Sequence, residues 1–285
     1  MKQNVAFVSV PPAKRCLTAI TAESVGRLLG GLLLLASLVG CANALQDKVE
    51  PAVAERGEAA SAPAHEDEVW RAAVSELLHT PVGGEPWRPL LLPGKRFVDF
   101  ELVGRSDRPA LSVQADRSVS ILRRRFADGV TDVGNIDFSW KIDGLPEGAN
   151  LGEVDRGDSP VRILLSFDGD RSRWSARNHR LSEMSRLLTG EELPYATLMY
   201  VWSNQDALGT VVVNPRTDRI RKVVVESGPA QIGRWREYRR DVRADFVRAF
   251  GEEPGPLRAV ALMTDTDNTR SRLQAWYGPL KLGRR

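Results

Sequence analysis

The sequence has few of the residues that build metal centres and disulfide frameworks. Its 285 residues include two cysteines, Cys16 and Cys41, and three histidines. Because a zinc or iron site needs several cysteine or histidine ligands, we expect neither metal. The sequence also lacks a Gly-x-Ser-x-Gly, Gly-x-Gly-x-x-Gly or P-loop pattern, which removes the common nucleophile and phosphate-binding motifs. We therefore assign no catalytic residue and no organic cofactor.

Long apolar runs are equally scarce, and the clearest one lies near the start of the chain. Residues 28–39 are mainly apolar, follow a basic stretch and are too short to span a bilayer, which is typical of a secretory signal. Leu38-Val39-Gly40-Cys41 resembles the lipobox of bacterial lipoproteins, whose cysteine carries a diacylglycerol. The resemblance implies a signal peptide over residues 1–40, lipidation of Cys41 and a periplasmic protein anchored in a membrane. Because Ala42 follows the cysteine, similarity to Gram-negative sorting implies the outer membrane.

The charge balance gives no support for a nucleic-acid partner. The whole chain has a formal net charge of +3, but residues 1–40 contain four basic residues and one acidic residue, so the remainder is neutral. Binding to phosphates needs a surplus of lysine and arginine. In the same interpretation Cys16 is removed with the signal and Cys41 is bound to lipid, which excludes an intramolecular disulfide.

Composition and periodicity divide the remaining chain into three parts. Residues 41–65 are poor in aromatic and branched apolar residues, and we predict a disordered tether there. Residues 66–86 contain Val69, Trp70 and Val74 at helical spacing, which predicts a short amphipathic helix and a connection. Residues 87–285 are sufficient for one folded domain with a single core.

The pattern of residues 87–285 favours strands. In residues 136–143 every even position is apolar and every odd position is polar, as in a strand with one buried face. Two helices are predicted, at residues 179–188 and at residues 236–250, the second from an apolar stripe that includes Tyr238 and Phe246. Many short strands and few helices predict a mainly β fold, an antiparallel jelly-roll-like β-sandwich with two or three short helices.

Five blocks in the second half of the chain together resemble a known family. The blocks are residues 194–202, residues 219–228, Arg240-Asp241-Val242, Phe250-Gly251-Glu252 and residues 264–269. Over about Trp87 to Leu282 the chain is similar to the domain of unknown function 3047 family of exported proteobacterial proteins. The resemblance implies an exported location and brings no activity with it. The strand order is also similar to that of jelly-roll modules of the galactose-binding kind, a resemblance that implies fold only.

A candidate ligand site follows one of the predicted strands. Trp202 stands at the strand end and is followed by Asn204 and Asp206. An aromatic ring beside amides and a carboxylate is suited to stack on a sugar and to bond its hydroxyl groups. Four further residues complete the predicted ligand-binding set: Trp174, Arg219, Arg221 and Glu226.

A second candidate site is the acidic stretch that contains Asp265, Asp267 and Asn268. It is not an EF-hand, because the sixth and twelfth positions from Asp265 are Arg270 and Trp276 rather than glycine and glutamate. Three interpretations remain open: an Asx-turn, which we favour, a structural Ca²⁺ site, and catalysis. Two more acidic residues are predicted to contribute to a Ca²⁺ site, namely Asp168 and Asp170.

The sequence thus favours a lipid-anchored envelope protein with a noncatalytic binding module, for which a glycan or another envelope polymer is the first choice of ligand. One alternative is a hydrolase or lyase of an envelope polysaccharide that uses carboxylates such as Glu226, Asp265 and Asp267. The other is a subunit that docks on another envelope protein through an apolar patch.

Overall fold

The computed structural model describes residues 64–81, 83–104 and 108–284. The chain divides into two units, Met1–Glu58 and Ala59–Arg285, and every described residue belongs to the second. The predicted signal peptide, Cys41 and nearly all of the predicted tether lie outside the described residues. In the part of the chain that is described, no helix has the length and apolar character needed to cross a membrane.

The described residues form three α-helices and thirteen strands. The helices are α1 (Ala64–Leu77), α2 (Ala176–Thr189) and α3 (Val242–Phe250). The strands are β1 (Leu78–His79), β2 (Arg88–Pro89), β3 (Glu101–Val103), β4 (Ala110–Asp116), β5 (Val119–Val130), β6 (Val133–Ile142), β7 (Ser159–Phe167), β8 (Ala196–Ser203), β9 (Val211–Val213), β10 (Ile220–Ser227), β11 (Arg236–Asp241), β12 (Leu257–Asp265) and β13 (Arg272–Arg284).

The strands form two sheets. One has six strands in the order β11-β6-β13-β4-β3, with β1 paired to β13, and the other has seven in the order β2-β5-β12-β7-β8-β10-β9. Neighbouring strands are antiparallel except for the parallel pairs β1 with β13 and β8 with β10. The predicted mainly β, jelly-roll-like sandwich is therefore confirmed.

The core lies between the two sheets and is rich in aromatic side chains. Trp140, which the alternation in β6 places on the apolar face, is fully buried as predicted, and its neighbour Phe138 contacts Tyr200 with ring centroids 5.5 Å apart. Phe246 of α3 meets Phe167 of β7 edge to face, with centroids 4.8 Å apart. The interior face of each strand supplies every second residue, as the period of two requires.

The helix predicted at residues 179–188 is present as α2, which starts three residues earlier and ends one residue later, and the other two predicted helices differ more. The first begins at Ala64 and ends at Leu77, because the next two residues pair with Leu280 of β13 and its neighbour as strand β1. The predicted helix at residues 236–250 is wrong in its first six residues, which form strand β11 paired with β6. The helix α3 starts only after Asp241, whose side chain accepts the backbone N–H of Ala244 at 2.9 Å and so caps it.

The outer faces of the two sheets, meaning the sides that point away from the core, are covered differently. Leu90 and Leu92 pack on the outer face of the seven-stranded sheet against a cluster that includes Met263, and Leu151 packs there against Val201. On the outer face of the six-stranded sheet the larger side chains Lys141, Gln274 and Trp276 stay partly exposed, whereas the small Ser112 and Ser139 are buried. A large molecule can therefore reach the outer face of the six-stranded sheet more easily than the outer face of the seven-stranded sheet.

Candidate functional site

The two tryptophans that were predicted as ligand platforms are both buried. Trp202 has no exposed surface, and its indole N–H donates to the carbonyl of Gly228 at 3.1 Å. Trp174 is 8% exposed and lies parallel to the ring of Tyr195, with centroids 6.2 Å apart. Neither ring face is open to a sugar, so a stacking role for these two residues is wrong. Both side chains belong to the hydrophobic core.

The polar residues near Trp202 hold their own loop in place. Asn204 donates its side-chain amide to the carbonyl of Pro146 at 2.6 Å, and Asp206 accepts the hydroxyl of Ser203 at 2.7 Å. These bonds fasten the turn after β8 to the segment that covers the seven-stranded sheet. They give the two residues a structural role.

The charged residues of the predicted ligand set are engaged in structural contacts. Arg219 donates to Glu252 at 2.6 Å, while Arg221 donates to the carbonyl of Asp218 at 2.9 Å. Glu226 is buried and accepts hydrogen bonds from the guanidinium of Arg236 and the hydroxyl of Tyr238. The predicted set also falls into two groups at opposite ends of the seven-stranded sheet: Trp202, Asn204, Asp206 and Glu226 at one end, and Trp174, Arg219 and Arg221 at the other.

A different row of side chains crosses the open outer face of the six-stranded sheet. Lys141 of β6 lies opposite Trp276 of β13, Trp276 lies opposite Ser112 of β4, and Ser112 lies opposite Glu101 of β3. Trp276 is partly exposed, whereas its neighbours Ala275 and Tyr277 are buried in the core. The alternation in β13 therefore points this indole away from the core.

A second tryptophan, Trp235, extends the row on the side of β11. The ammonium nitrogen of Lys141 is 4.1 Å from the ring centroid of Trp276 and 5.7 Å from that of Trp235. The guanidinium of Arg108 covers Trp235 at 4.3 Å. Neighbouring strands are about 4.8 Å apart, so the two tryptophans, separated by the intervening β6, start roughly 10 Å from each other. We call Trp235, Lys141, Trp276, Ser112 and Glu101 the cross-strand row.

Trp235 can lie over the sheet because β13 has a glycine beneath it. A Cβ atom at Gly278 would be 3.1 Å from Cζ3 of Trp235 and 2.3 Å from the hydroxyl oxygen of Ser139. The pairing between β13 and β6 is irregular at this point. The bulge and the missing side chain together make room for the indole.

Open cavities flank the cross-strand row on both sides. One has a volume of about 570 Å³ and includes Glu101, Gln114 and Gln274 in its lining. The other has a volume of about 750 Å³ and includes Ser139 and Glu237. The first offers amide and carboxylate groups and the second offers carboxylate and guanidinium groups, all of which can bond the hydroxyl groups of a polyhydroxylated ligand.

The sequence contained a signal for Trp276, although the prediction missed it. Leu273, Ala275 and Tyr277 form the apolar face of β13, so Gln274 and Trp276 fall on the other face. Trp235 gave no such signal, because residues 236–241 were taken as helix. The position of Lys141 between the two indoles depends on strand pairing, which the sequence does not specify.

The predicted acidic site is partly assembled, with one partner that the sequence did not indicate. Carboxylate oxygens of Asp158, Asp265 and Asp267 all lie within 4.8 Å of one another. Asp158 accepts the side-chain amide of Asn268 at 2.9 Å and the backbone N–H of Thr269 at 2.8 Å. We call Asp158, Asp265 and Asp267 the aspartate cluster. It lies where the end of β12 meets the start of β7.

The aspartate cluster is crowded and partly desolvated. Burial raises the pKa of Asp265 to about 7, against the opposing effect of Arg162, whose Nη2 is 3.0 Å from Oδ2 of Asp265. Burial opposes ionisation of Asp267 too, but the Lys95 ammonium keeps the pKa of that carboxyl below its usual value. Lys222 is a further buried cationic group near the aspartate cluster. Burial, with a contribution from Arg162, lowers the pKa of Lys222 to about 7.

Asp168 and Asp170 do not join the aspartate cluster. They follow the end of β7, whereas Asp158 and Asp265 lie at its start. Asp168 pairs with Arg258 at 3.1 Å, and Asp170 accepts the backbone N–H of Ser172 to cap a short 3₁₀ turn. The predicted contribution of these two residues to the same metal site is therefore wrong, because a strand separates them from it.

The geometry defines a β-sandwich with one covered and one open outer face, and the sequence comparison gives its family. The chain belongs to the family described as Protein of unknown function (DUF3047), whose model matches residues 85–281. This confirms the family resemblance drawn from the five sequence blocks. No curated protein matches the chain.

Solved structures with a similar arrangement of strands are distant. One is the native endo-1,4-β-glucanase CelB2, with 12% identity, coverage of 70% of this chain and 97% of that one, and a TM-score of 0.36. Another is the xyloglucanase domain of NopAA from Sinorhizobium fredii in complex with cellobiose, with 8% identity, coverage of 72% and 96%, and a TM-score of 0.35. A family 29 carbohydrate-binding module in complex with mannohexaose has 10% identity, coverage of 73% and 86%, and a TM-score of 0.31. Similarity at this level supports no inference about what this chain binds.

Proposed function

We propose that the β-sandwich binds a carbohydrate without catalysis, on the outer face of the six-stranded sheet. The observation that carries this proposal is the cross-strand row, in which two partly exposed indoles, Trp235 and Trp276, flank one ammonium group on an open surface. We further propose that the chain is an exported lipoprotein that presents this surface in the cell envelope.

The physical argument starts from the amphipathic nature of a sugar. A pyranose ring has an apolar face of C–H groups, which stacks on an indole, and a rim of hydroxyl groups, which needs hydrogen-bond partners. The row offers both, because the exposed Glu101 continues the line from the indoles, and the partly exposed Gln274 lies beside it with its amide bonded to the buried Ser112. A separation of roughly 10 Å between the strands that carry the indoles suits an oligosaccharide rather than one sugar ring.

The cations over the two indoles fit this role. Exposed cation–π contacts contribute only about 0.5–1 kcal/mol each. Lys141 and Arg108 have long flexible stems, so a sugar face can displace them from the rings at small cost. The same groups then remain beside the ligand as hydrogen-bond donors.

The carboxylates considered for the hydrolase alternative are in a different arrangement. Glu226 is buried and hydrogen-bonded to Arg236 and Tyr238. Asp265 and Asp267 lie in the aspartate cluster on the other sheet. A glycosidase needs two carboxyl groups on either side of an accessible sugar, so these contacts favour binding over hydrolysis.

A glycan array with the purified protein tests the carbohydrate proposal. We expect binding to at least one oligosaccharide, and we expect Trp276→Ala and Trp235→Ala each to weaken that binding about tenfold through loss of a stacking partner. The matched control is Leu208→Ala. Leu208 is an apolar residue that is 64% exposed, and it lies in the loop between β8 and β9 of the other sheet. Absence of glycan binding, or equal weakening by the control, contradicts the proposal.

The envelope location is supported by the sequence signal alone. If Cys41 carries a lipid, cells fed a palmitate analogue should label the wild type, and Cys41→Ala should accumulate as an unprocessed, unlabelled precursor. The wild type should also fractionate with the outer membrane. Labelling that persists in the variant would refute lipidation at Cys41 and leave the carbohydrate site unaffected.

A further inference from the structure

We propose that the aspartate cluster binds one hard divalent cation, with calcium as the first choice. Asp158 precedes β7, Asp265 ends β12, and Asp267 lies in the turn that follows, so three separate backbone positions bring their carboxylates to one point. The three groups offer oxygen ligands only, which suits calcium and magnesium and does not suit zinc. The cation would take its remaining ligands from water or main-chain carbonyls.

An unpaired buried oxygen points to a missing ligand. The side chain of Asp265 is 90% buried, and no donor among the described residues bonds to its Oδ1 atom. A buried carboxylate oxygen without a partner loses its hydration and gains nothing in return. A metal ion between the three aspartates would supply the partner that this oxygen lacks.

Hydrogen bonding in the turn explains one of the three aspartates and leaves the other two unexplained. Asp158 receives the amide of Asn268 and both the N–H and the hydroxyl of Thr269, which fastens the turn after β12 to the start of β7. These bonds join distant parts of the chain and are not Asx-turns, so Asp158 and Asn268 belong to a structural network. That network gives no reason for Asp265 and Asp267 to face the same point, where two ionised carboxylates repel.

The charge balance leaves room for a cation. Two of the three carboxylates are paired with a cation, Asp265 with Arg162 and Asp267 with Lys95, while the nearby buried Lys222 donates to the carbonyl of Leu151 at 2.7 Å. Arg162 is also fixed by a hydrogen bond of 2.6 Å to the carbonyl of Gly157, so it can stay in place. The side chain of Lys95 is 40% exposed, and it is the group that an incoming metal ion would displace into solvent.

This inference is independent of the carbohydrate proposal, since the aspartate cluster lies on the seven-stranded sheet and the cross-strand row on the six-stranded sheet. A cation at this point would bind only the folded protein, because the unfolded chain does not hold Asp158 near Asp265. It would therefore stabilise the junction between β7 and β12 by mass action.

Melting curves and calorimetry with calcium test the proposal. Protein treated with a chelator and then supplied with calcium at about 100 times its Kd should melt roughly 5–10 °C higher than protein kept in chelator. A calcium titration should give saturable heat with about one ion per chain. Identical midpoints, together with no heat of binding, would overturn the proposal.

Three variants separate a metal site from a purely structural network. Asp265→Asn keeps the shape of the side chain and should abolish the calcium response, while Asp168→Asn, at the other end of β7, should retain it. Lys95→Gln removes the competing ammonium and should bind calcium at least about threefold more tightly than the wild type.

Lys95→Gln keeps the proposal testable even if Asp265→Asn fails to fold, because Lys95 is partly exposed. A merely structural ion pair predicts the reverse result for this variant, namely lower stability with no gain in calcium affinity. If neither the wild type nor Lys95→Gln responds to calcium, the aspartate cluster is a network held by Lys95, Arg162 and a shared proton.

Discussion

The outer faces of the two sheets share the same strand alternation but differ in what lies on them. On β12 the outer positions include Ala261 and Met263, which are buried beneath Leu90 and Leu92. On β13 the corresponding outer position is Trp276, which stays partly exposed. Aliphatic outer positions are covered by chain, whereas an amphipathic residue such as tryptophan can remain at a wet surface.

The same difference separates the charged groups. On the covered face of the seven-stranded sheet, Arg162, Lys222 and Asp265 are each more than nine-tenths buried. Burial raises the pKa of Asp265 and lowers the pKa of Lys222, because it disfavours the charged form of both groups. On the open face, pairs such as Arg108 with Glu237 are exposed. Desolvated charges need a partner in place, while exposed pairs exchange partners at little cost. The open face is therefore suited to a ligand that exchanges, such as the proposed glycan, and the covered face to a tightly held group, such as the proposed cation.

The largest expected effect is on the covered face. Leu151 is 1% exposed and packs against Met199, Val201 and Val224, so Leu151→Ala should lower the free energy of unfolding by about 2–5 kcal/mol. Trp276→Ala, on the open face, should cost less than about 1.5 kcal/mol, because it removes one cation–π contact and partial burial only. Urea denaturation of both variants checks the comparison. Equal losses would mean that Trp276 is a core residue and not a surface ligand.

The sequence was sufficient to predict the sandwich because period-two alternation records which residues face the core. Trp140 and the strand β6 follow directly from it. The helix prediction at residues 236–241 failed for a tertiary reason: Arg236 and Tyr238 alternate inward to reach Glu226, and pairing with β6 overrides the helical spacing.

The candidate sites were harder to predict than the fold. Trp202 stands beside polar residues in the sequence, but the polar neighbours form the loop while its own ring enters the core. Asp158 was missed because it meets Asp265 only through the pairing of β7 with β12. Trp276 was the exception, since parity along β13 already assigned it to the outer face. Local patterns thus identify faces, and tertiary pairing decides which residues share a site.

The smallest expected effect concerns the glycine beneath Trp235. A methyl group at Gly278 would lie 3.1 Å from the indole and 2.3 Å from the Ser139 hydroxyl, and because both side chains can shift, Gly278→Ala should cost only about 1 kcal/mol. It should nevertheless move Trp235 out of the cross-strand row. The ¹H–¹⁵N indole resonance of Trp235, identified by its loss in Trp235→Phe, should shift, and binding to any glycan found on the array should weaken. Gly283→Ala is the matched control on the same strand, because its added Cβ would be 3.6 Å from the nearest atom, an ordinary contact. An unmoved resonance with unchanged glycan affinity would show that Gly278 does not position Trp235, and that the open face tolerates change here as freely as any exposed surface.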